Sequence, residues 1–248
     1  MCAGPARTRD GHVDTAHRRR QCSCRVQTRS TQEWCVASCR PVRVRTAIFD
    51  FDGTVADTFD AVVQVLNTLA SEYGYRSADA AEVQQLRGLP PTEVAQRLGV
   101  AWPKVPQIVA RVRKEMIRSM PLVQPCQGVP EALRLLQERG LSIGLLTSNS
   151  RENVDLFLER HPIAFEFIST GSGLWSKHRR LASLMRRRKL IAAETAYIGD
   201  EIRDIEAGRK LGMRVIAVSW GYTAPSLLAQ HKPDQLLTRA DELLTALI

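Results

Sequence analysis

The chain has 248 residues, is 44% hydrophobic and carries a formal net charge of +9 at pH 7. This length and composition allow one or two domains with a sizeable buried core. The sequence lacks the run of about eighteen apolar residues that a membrane-spanning helix needs, so no membrane partner is expected.

The positive charge and the cysteines are concentrated at the N-terminus. Residues 1–45 contain ten arginines and three acidic residues, a balance of +7, so the other 203 residues carry only +2. The same segment contains five of the six cysteines, and their spacing matches no common zinc finger. With Cys126 as its single thiol, the rest of the chain fits a reducing cytoplasm.

Residues 1–43 lack apolar periodicity and are rich in Arg, Ser, Thr and Gln, which predicts a disordered basic tail. A transit segment, an over-extended start and a plain disordered tail stay open as explanations of it. The basic run Arg186–Lys189 is interpreted as a solvated helix face, because no aromatic platform for bases accompanies it. No nucleic-acid partner is therefore expected.

The folded part begins with a predicted strand, Thr46–Phe49, followed by the carboxylates Asp50 and Asp52 and the turn residue Gly53. Burying carboxylates costs free energy unless a cation or hydrogen bonds compensate. Mg²⁺ together with a phosphoryl group would compensate them, since hard oxygen ligands suit that ion. Taken alone, the pattern fits an acidic β-turn equally well.

Residues 58–125 show helical spacing of apolar residues and no strand pattern. The predicted helices are Asp57–Tyr73, Ala78–Leu86, Thr92–Leu98 and Val105–Met120. We therefore expect an all-helical cap over 58–125, inserted into a core formed by 44–57 and 126–248. The prolines and the glycine between Pro121 and Pro130 suit a hinge.

Helices and short β-branched strands alternate from Val129 onward. The helices are expected at Val129–Arg139, Glu152–Arg160, His178–Leu190 and Ile202–Leu211, and the strands at Leu141–Leu146, Phe165–Thr170, Thr195–Ile198 and Val215–Ser219, with a short last strand from Leu236. This order predicts an α/β fold with a doubly wound, mostly parallel Rossmann-like sheet. Asp50, Thr147 and Asp200 all follow strands, so they should share the ligand-binding edge of that sheet.

These strand-end residues have the chemistry that phosphoryl transfer needs. Asp50 can attack phosphorus, and Asp52 is placed to protonate the leaving oxygen and then deprotonate water. The Thr147 hydroxyl and the amides of Ser148 and Asn149 could bind phosphoryl oxygens.

Further along the chain, Lys177 could neutralise both Asp50 and the phosphate. Asp200, with Glu201 and Asp204, would supply carboxylates that complete a Mg²⁺ site. Each segment taken alone also has a structural interpretation, as a helix cap, a surface cation or an acidic helix start.

Four segments together carry a family resemblance: DFDGTVADT, LLTSN, Lys177 and YIGDEIRDIEAGRKLGMRVIAVSWGY. From about Val44 to Ile248 the chain resembles the haloacid dehalogenase superfamily, specifically its phosphoglycolate phosphatase-like members with a helical cap between the first two motifs. The resemblance implies Asp50 as nucleophile and Asp52 as acid/base.

The resemblance also implies Thr147 and Lys177 as phosphate ligands and Mg²⁺ bound by Asp50, Asp200 and the Asp52 backbone carbonyl. Asp204 would assist at the metal, while the role of Glu201 stays open. In the cap, Arg87 occupies a loop that reaches the substrate in similar proteins, although it could also be a solvated helix end.

The leading hypothesis is a Mg²⁺-dependent phosphatase of a small phosphorylated metabolite such as phosphoglycolate, acting as a monomer or homodimer. A sugar phosphomutase with the same aspartates and a non-catalytic binding module are the alternatives. A dehalogenase is disfavoured, because the extra carboxylates and Asp52 would serve no purpose for halide.

Overall fold

Six short strands form one parallel sheet in the computed structural model, which describes residues 43–86, 88–89, 91–171 and 177–248. The strands are β1 (Thr46–Phe49), β2 (Ser142–Leu146), β3 (Phe167–Ser169), β4 (Thr195–Gly199), β5 (Arg214–Val218) and β6 (Gln235–Leu237). Their order across the sheet is β3-β2-β1-β4-β5-β6. Because β1 lies between β2 and β4, the doubly wound arrangement expected from the sequence is confirmed.

Both faces of the central strand are buried, which explains its unbroken apolar sequence. Ala47 and Phe49 enter the main hydrophobic core, whereas Ile48 enters a second core together with Tyr197. Successive side chains of a strand point to opposite faces, so these two cores lie on opposite sides of the sheet.

The helices that alternate with the strands are α5 (Val129–Glu138), α6 (Arg151–Arg160), α7 (Lys177–Arg188), α8 (Ile202–Lys210), α9 (Pro225–Gln230) and α10 (Glu242–Leu247). The last two were not predicted. The signal for α9 was present in the sequence, because Pro225 occupies the first helical turn, where its fixed φ is favourable.

The segment between β1 and β2 is helical, as expected. It contains α1 (Phe59–Tyr73), α2 (Ala80–Leu86), α3 (Pro91–Arg97) and α4 (Val105–Glu115), and no strand of the sheet falls between Phe49 and Ser142 in the described residues. The predicted helix Val105–Met120 is wrong in its C-terminal part, since α4 ends at Glu115 and 3₁₀ turns follow. Pro121 keeps the α-helix from running through Met120, because proline disfavours α-helical backbone at the preceding residue, but nothing in the structure explains why α4 already ends at Glu115.

The predicted tail 1–43 lies almost wholly outside the described residues. Arg87 and residues 172–176 also lie outside them. Among the residues that the structure does describe, no helix combines the length and the apolar character needed to cross a membrane.

Candidate active site

The carboxyl ends of three neighbouring strands bring the predicted site residues together. Asp50 follows β1, Thr147 follows β2 and Asp200 follows β4, and these strands are adjacent and parallel. All three residues are buried. The sheet therefore places them at one edge, where ligands bind in open parallel sheets.

Lys177, the first residue of α7, joins two of the acidic side chains. Its Nζ lies 2.6 Å from Asp50 Oδ2 and also pairs with Asp204 Oδ1. Only 5% of the lysine side chain and 4% of the Asp50 side chain are exposed. Burial alone would lower the pKa of Lys177, but the charges of Asp204 and then Asp50 outweigh it and raise that pKa. The lysine therefore stays protonated beside Asp50.

Asp50, Asp200 and Asp204 each contribute a carboxylate oxygen to a group whose atoms all lie within 4.8 Å of one another. Thr54 Oγ1 donates to Asp200 Oδ1 at 2.7 Å, and the Tyr222 amide donates to Asp200 Oδ2 at 2.8 Å. Burial, and then the charges of Glu201 and Asp50, raise the pKa of Asp200 well above its usual range. One lysine does not compensate this density of negative charge.

Two glycines allow the Asp200 carboxylate to lie directly against the backbone. Gly53 has a φ of +75°, and a Cβ on it would fall 2.5 Å from Asp200 Oδ2. A Cβ on Gly221 would overlap the same carboxylate. Buried, like-charged oxygen donors with close backbone support suit a hard divalent cation such as Mg²⁺. The residues present therefore fit the expected metal.

Asp52 lies apart from this carboxylate group. Its Oδ1 accepts hydrogen bonds from Thr58 Oγ1 and from Asn149 Nδ2, each at 3.0 Å. Burial and then the charge of Asp50 raise the pKa of Asp52 to about 6, although the two hydrogen bonds and the charge of Arg203 oppose the rise. The group of carboxylate oxygens excludes Asp52, so any contribution to a metal would come from its backbone carbonyl.

The loop after β2 uses some of its polar groups internally. Thr147 Oγ1 accepts a hydrogen bond from the Asn149 amide at 2.9 Å, and the Asn149 side chain is engaged with Asp52. Within the described residues the Thr147 hydroxyl proton has no acceptor, so it can be donated to a ligand. Ser148 is half-buried in the same loop.

A family model for haloacid dehalogenase-like hydrolases matches residues 47–218. The chain belongs to this family. A phosphoglycolate phosphatase from Synechococcus elongatus is 35% identical over 205 residues, covering 82% of this chain and 97% of that protein. Pyrophosphatase PpaX from Bacillus cereus is 26% identical over 215 residues, covering 83% of this chain and 97% of that protein.

A solved structure of a predicted phosphatase from Clostridium acetobutylicum has a TM-score of 0.72 at 18% identity, covering 82% of this chain and 98% of that one. At that identity the likeness supports the fold. The family resemblance and the enzyme class expected from the sequence are confirmed by the family match and the cyanobacterial relative.

Sequence reasoning missed three arginines of this haloacid dehalogenase-like hydrolase. Arg180 donates to the carbonyl oxygens of Thr147 at 2.5 Å, Gly171 at 3.0 Å and Ser169 at 3.3 Å, and so ties the loops after β2 and β3 together. Its separation of three residues from Lys177, on the same helix face, was a usable signal.

Arg203 pairs with Glu201 Oε1 at 2.5 Å, but its Nε is buried and has no hydrogen-bond partner within the described residues. Arg113, on α4, is half-buried, and burial followed by the charge of Arg203 lowers its pKa, while Asp52 partly offsets this. The charges of Arg113 and Arg203 therefore repel each other, and both groups interact electrostatically with the Asp52 carboxylate.

Glu201, whose role was left open, caps α8 in the structure. Its side chain and that of Asp204 satisfy each other's backbone amides in a reciprocal capping box. The same Asp204 carboxylate also contacts Lys177, so the start of α8 is fixed relative to the site.

The predicted substrate residue Arg87 lies outside the described residues. The neighbouring Gly88 carbonyl accepts a hydrogen bond from the Ala224 amide at 3.2 Å, in the loop between β5 and α9. A Cβ on Gly88 would approach the Ala224 Cβ to 2.7 Å. The helical segment therefore contacts the loop between β5 and α9 at this point, and the absence of a side chain on Gly88 permits the close approach.

Proposed function

We propose that this hydrolase is a Mg²⁺-dependent phosphatase that cleaves a small phosphomonoester through an aspartyl-phosphate at Asp50. The observation that supports this most directly is the environment of Asp50 at the sheet edge. Asp50 is buried and paired with Lys177, and carboxylate oxygens of Asp50, Asp200 and Asp204 lie within 4.8 Å of one another. The phosphatase names of the two relatives support the same reaction class.

Asp50 acts as the nucleophile in this scheme. Its carboxylate oxygen bonds to phosphorus while the bond from phosphorus to the leaving oxygen breaks. Lys177 pairs with Asp50 and places positive charge beside the phosphoryl oxygens, and the Thr147 hydroxyl and the Ser148 amide are proposed to donate to those oxygens. A bound Mg²⁺, held by Asp50, Asp200, the Asp52 carbonyl and with help from Asp204, would neutralise charge on the phosphoryl group.

Asp52 acts as general acid and then general base. A pKa of about 6 lies close to neutral pH, where one carboxyl group can both give a proton to the leaving oxygen and take one from water. Thr58 and Asn149 hold its Oδ1 from two sides, which fixes the direction of the carboxyl group.

The arginines support a substrate with a second anionic group. Lys177 is balanced by Asp50 and Asp204, and Arg180 is engaged with backbone carbonyls. By contrast, half-buried Arg113 has no ion pair within the described residues. Arg203 is paired with Glu201, but its Nε has no hydrogen-bond partner there. A carboxylate, as in phosphoglycolate, or a second phosphate, as in pyrophosphate, would compensate this positive charge.

The helical segment 58–125 is proposed to be the cap that selects the substrate, with the core formed by 44–57 and 126–248. Arg87 is proposed to reach the substrate from the cap. The contact of the adjacent Gly88 with Ala224 supports this, because it brings that loop to the ligand-binding side of the sheet.

The test is phosphate release by the purified chain from phosphoglycolate, pyrophosphate and alkyl phosphates without a second anion, each with and without Mg²⁺. We expect turnover that requires the metal. Phosphoglycolate and pyrophosphate, which carry a second anionic group, should be hydrolysed faster than the alkyl phosphates. Asp52→Asn should accumulate phosphorylated Asp50, because the intermediate forms but loses the base that activates water. Phosphate trapped on another residue, or full activity with a chelator, would overturn the scheme.

A further inference from the structure

One buried side chain, Asn153, connects helix α4 to the loop after β2. It lies in the first turn of α6, and only 1% of the residue is exposed. Its Nδ2 donates to the Arg113 carbonyl oxygen at 2.9 Å and to Asn149 Oδ1 at 2.8 Å. The amide group therefore uses both of its N–H donors, one on each partner.

The Arg113 carbonyl lies in the last turn of α4, where helix carbonyls lack full intrahelical pairing. The Asn153 side chain thus satisfies a backbone acceptor at a helix end. Because Arg113 belongs to the helical segment and Asn153 to the sheet side, this bond links the two parts of the molecule.

The second bond of Asn153 fixes the orientation of Asn149. Asn149 Oδ1 accepts from Asn153 Nδ2 and from the Ser150 amide, both at 2.8 Å. With the oxygen held by two donors, the Asn149 amide cannot rotate by half a turn without placing its own N–H groups against theirs. Its Nδ2 is therefore directed at Asp52, which it reaches at 3.0 Å and 3.3 Å.

The unused atom of Asn153 argues against a purely stabilising role. Its Oδ1 is buried and has no hydrogen-bond partner in the described part of the chain. A buried acceptor without a partner is unfavourable, so asparagine is not the residue that stability alone would place there. The two donors, not the acceptor, are what the site uses.

We infer that Asn153 is a positioning residue for the acid/base step, which rests on the proposed function. The chain of bonds from the Arg113 carbonyl through Asn153 and Asn149 to Asp52 makes the direction of the Asp52 carboxyl group depend on the docking of α4. Without Asn153, Asp52 would keep the Thr58 bond and Asn149 would keep the Ser150 bond, but Asn149 would lose the second donor that fixes its amide.

The test compares two substrates that differ in their need for a proton donor. An alkyl phosphate has a poor leaving group and depends on Asp52, whereas an activated aryl phosphate depends on it much less. General acid–base catalysis contributes about 10²–10⁴-fold, so weaker positioning should cost about 10–100-fold on the alkyl substrate. Asn153→Leu keeps the size of the side chain and removes both donors; Asn153→Ser keeps one donor and serves if the leucine variant folds poorly.

We expect both variants to slow phosphorylation of Asp50 by the alkyl phosphate, the serine variant less, with less than about threefold change in phosphorylation by the aryl phosphate. The control is Asn67→Leu, because Asn67 likewise makes two side-chain bonds, here to the Ala78 backbone at 2.8 Å and 2.9 Å, and neither residue belongs to the site. Asn67→Leu should lower the stability of the fold and leave the ratio of the alkyl phosphate rate to the aryl phosphate rate unchanged.

Equal losses on both substrates, or an unchanged rate ratio in folded Asn153 variants, would overturn the inference while the proposed phosphatase function stands. A wild-type chain that hydrolyses neither substrate with Mg²⁺ would refute the function itself, and with it this inference.

Discussion

Replacing Lys177 with methionine should destabilise the metal-free protein strongly. The lysine lies 2.6 Å from Asp50, also pairs with Asp204, and has 5% of its side chain exposed. Methionine fills a similar volume but leaves two buried carboxylates without their cation. Removing one partner of a buried ion pair typically costs about 3–5 kcal/mol.

The pH dependence follows from the acidic partners. Burial raises the pKa of the Lys177 partner Asp204 to about 6, although the charge of Lys177 opposes the rise, so loss of the lysine charge should raise that pKa further. Protonated carboxyl groups no longer need a cation, so the deficit of Lys177→Met should be largest near pH 8 and shrink toward pH 5. Added Mg²⁺ should recover part of the loss at pH 8.

The measurement is urea unfolding of chelated wild type and Lys177→Met at pH 5 and pH 8, repeated at pH 8 with Mg²⁺. Lys114→Met is the matched control, because Lys114 is exposed on α4, and it should change stability by less than about 0.5 kcal/mol. Wild-type stability of Lys177→Met at pH 8, or a deficit that does not vary with pH, would refute the reasoning.

Three other predictions concern Asp52, Gly221 and the N-terminal residues 1–43. The fold raises the pKa of Asp52 to about 6, so ionisation of this group destabilises the metal-free wild type as pH rises toward that value. Asp52→Asn cannot ionise, so its free energy of unfolding in urea, measured relative to wild type, should be about 1–3 kcal/mol more favourable to the fold at pH 8 than at pH 4. Gly221→Ala should weaken Mg²⁺ binding in calorimetry, because its methyl group overlaps Asp200, and unchanged affinity would contradict this. Deleting residues 1–43 should leave turnover and Tm unchanged, and tight zinc binding by the full chain alone would show otherwise.

The sequence by itself was sufficient for the architecture and for the acidic residues of the site. Apolar residues at period 2 or 3.6 report which face of a strand or helix is buried, and that information is local. Parallel strands then require their carboxyl ends to meet at one edge, so Asp50, Thr147 and Asp200 could be grouped before any coordinates. Lys177 and Asp204 were proposed from the charge and the ligands that phosphoryl transfer needs, and the motif resemblance supported both.

Only the tertiary structure revealed the groups that orient those residues. Arg113 and Asn153 are 40 residues apart, and their bond depends on how α4 docks against α6. The unused donor of Arg203 and the close approach of Gly221 to Asp200 likewise depend on packing between separate elements. Periodicity fixes which side of an element faces inward but not which atoms of another element it meets, because that is decided by the combined packing of the whole core.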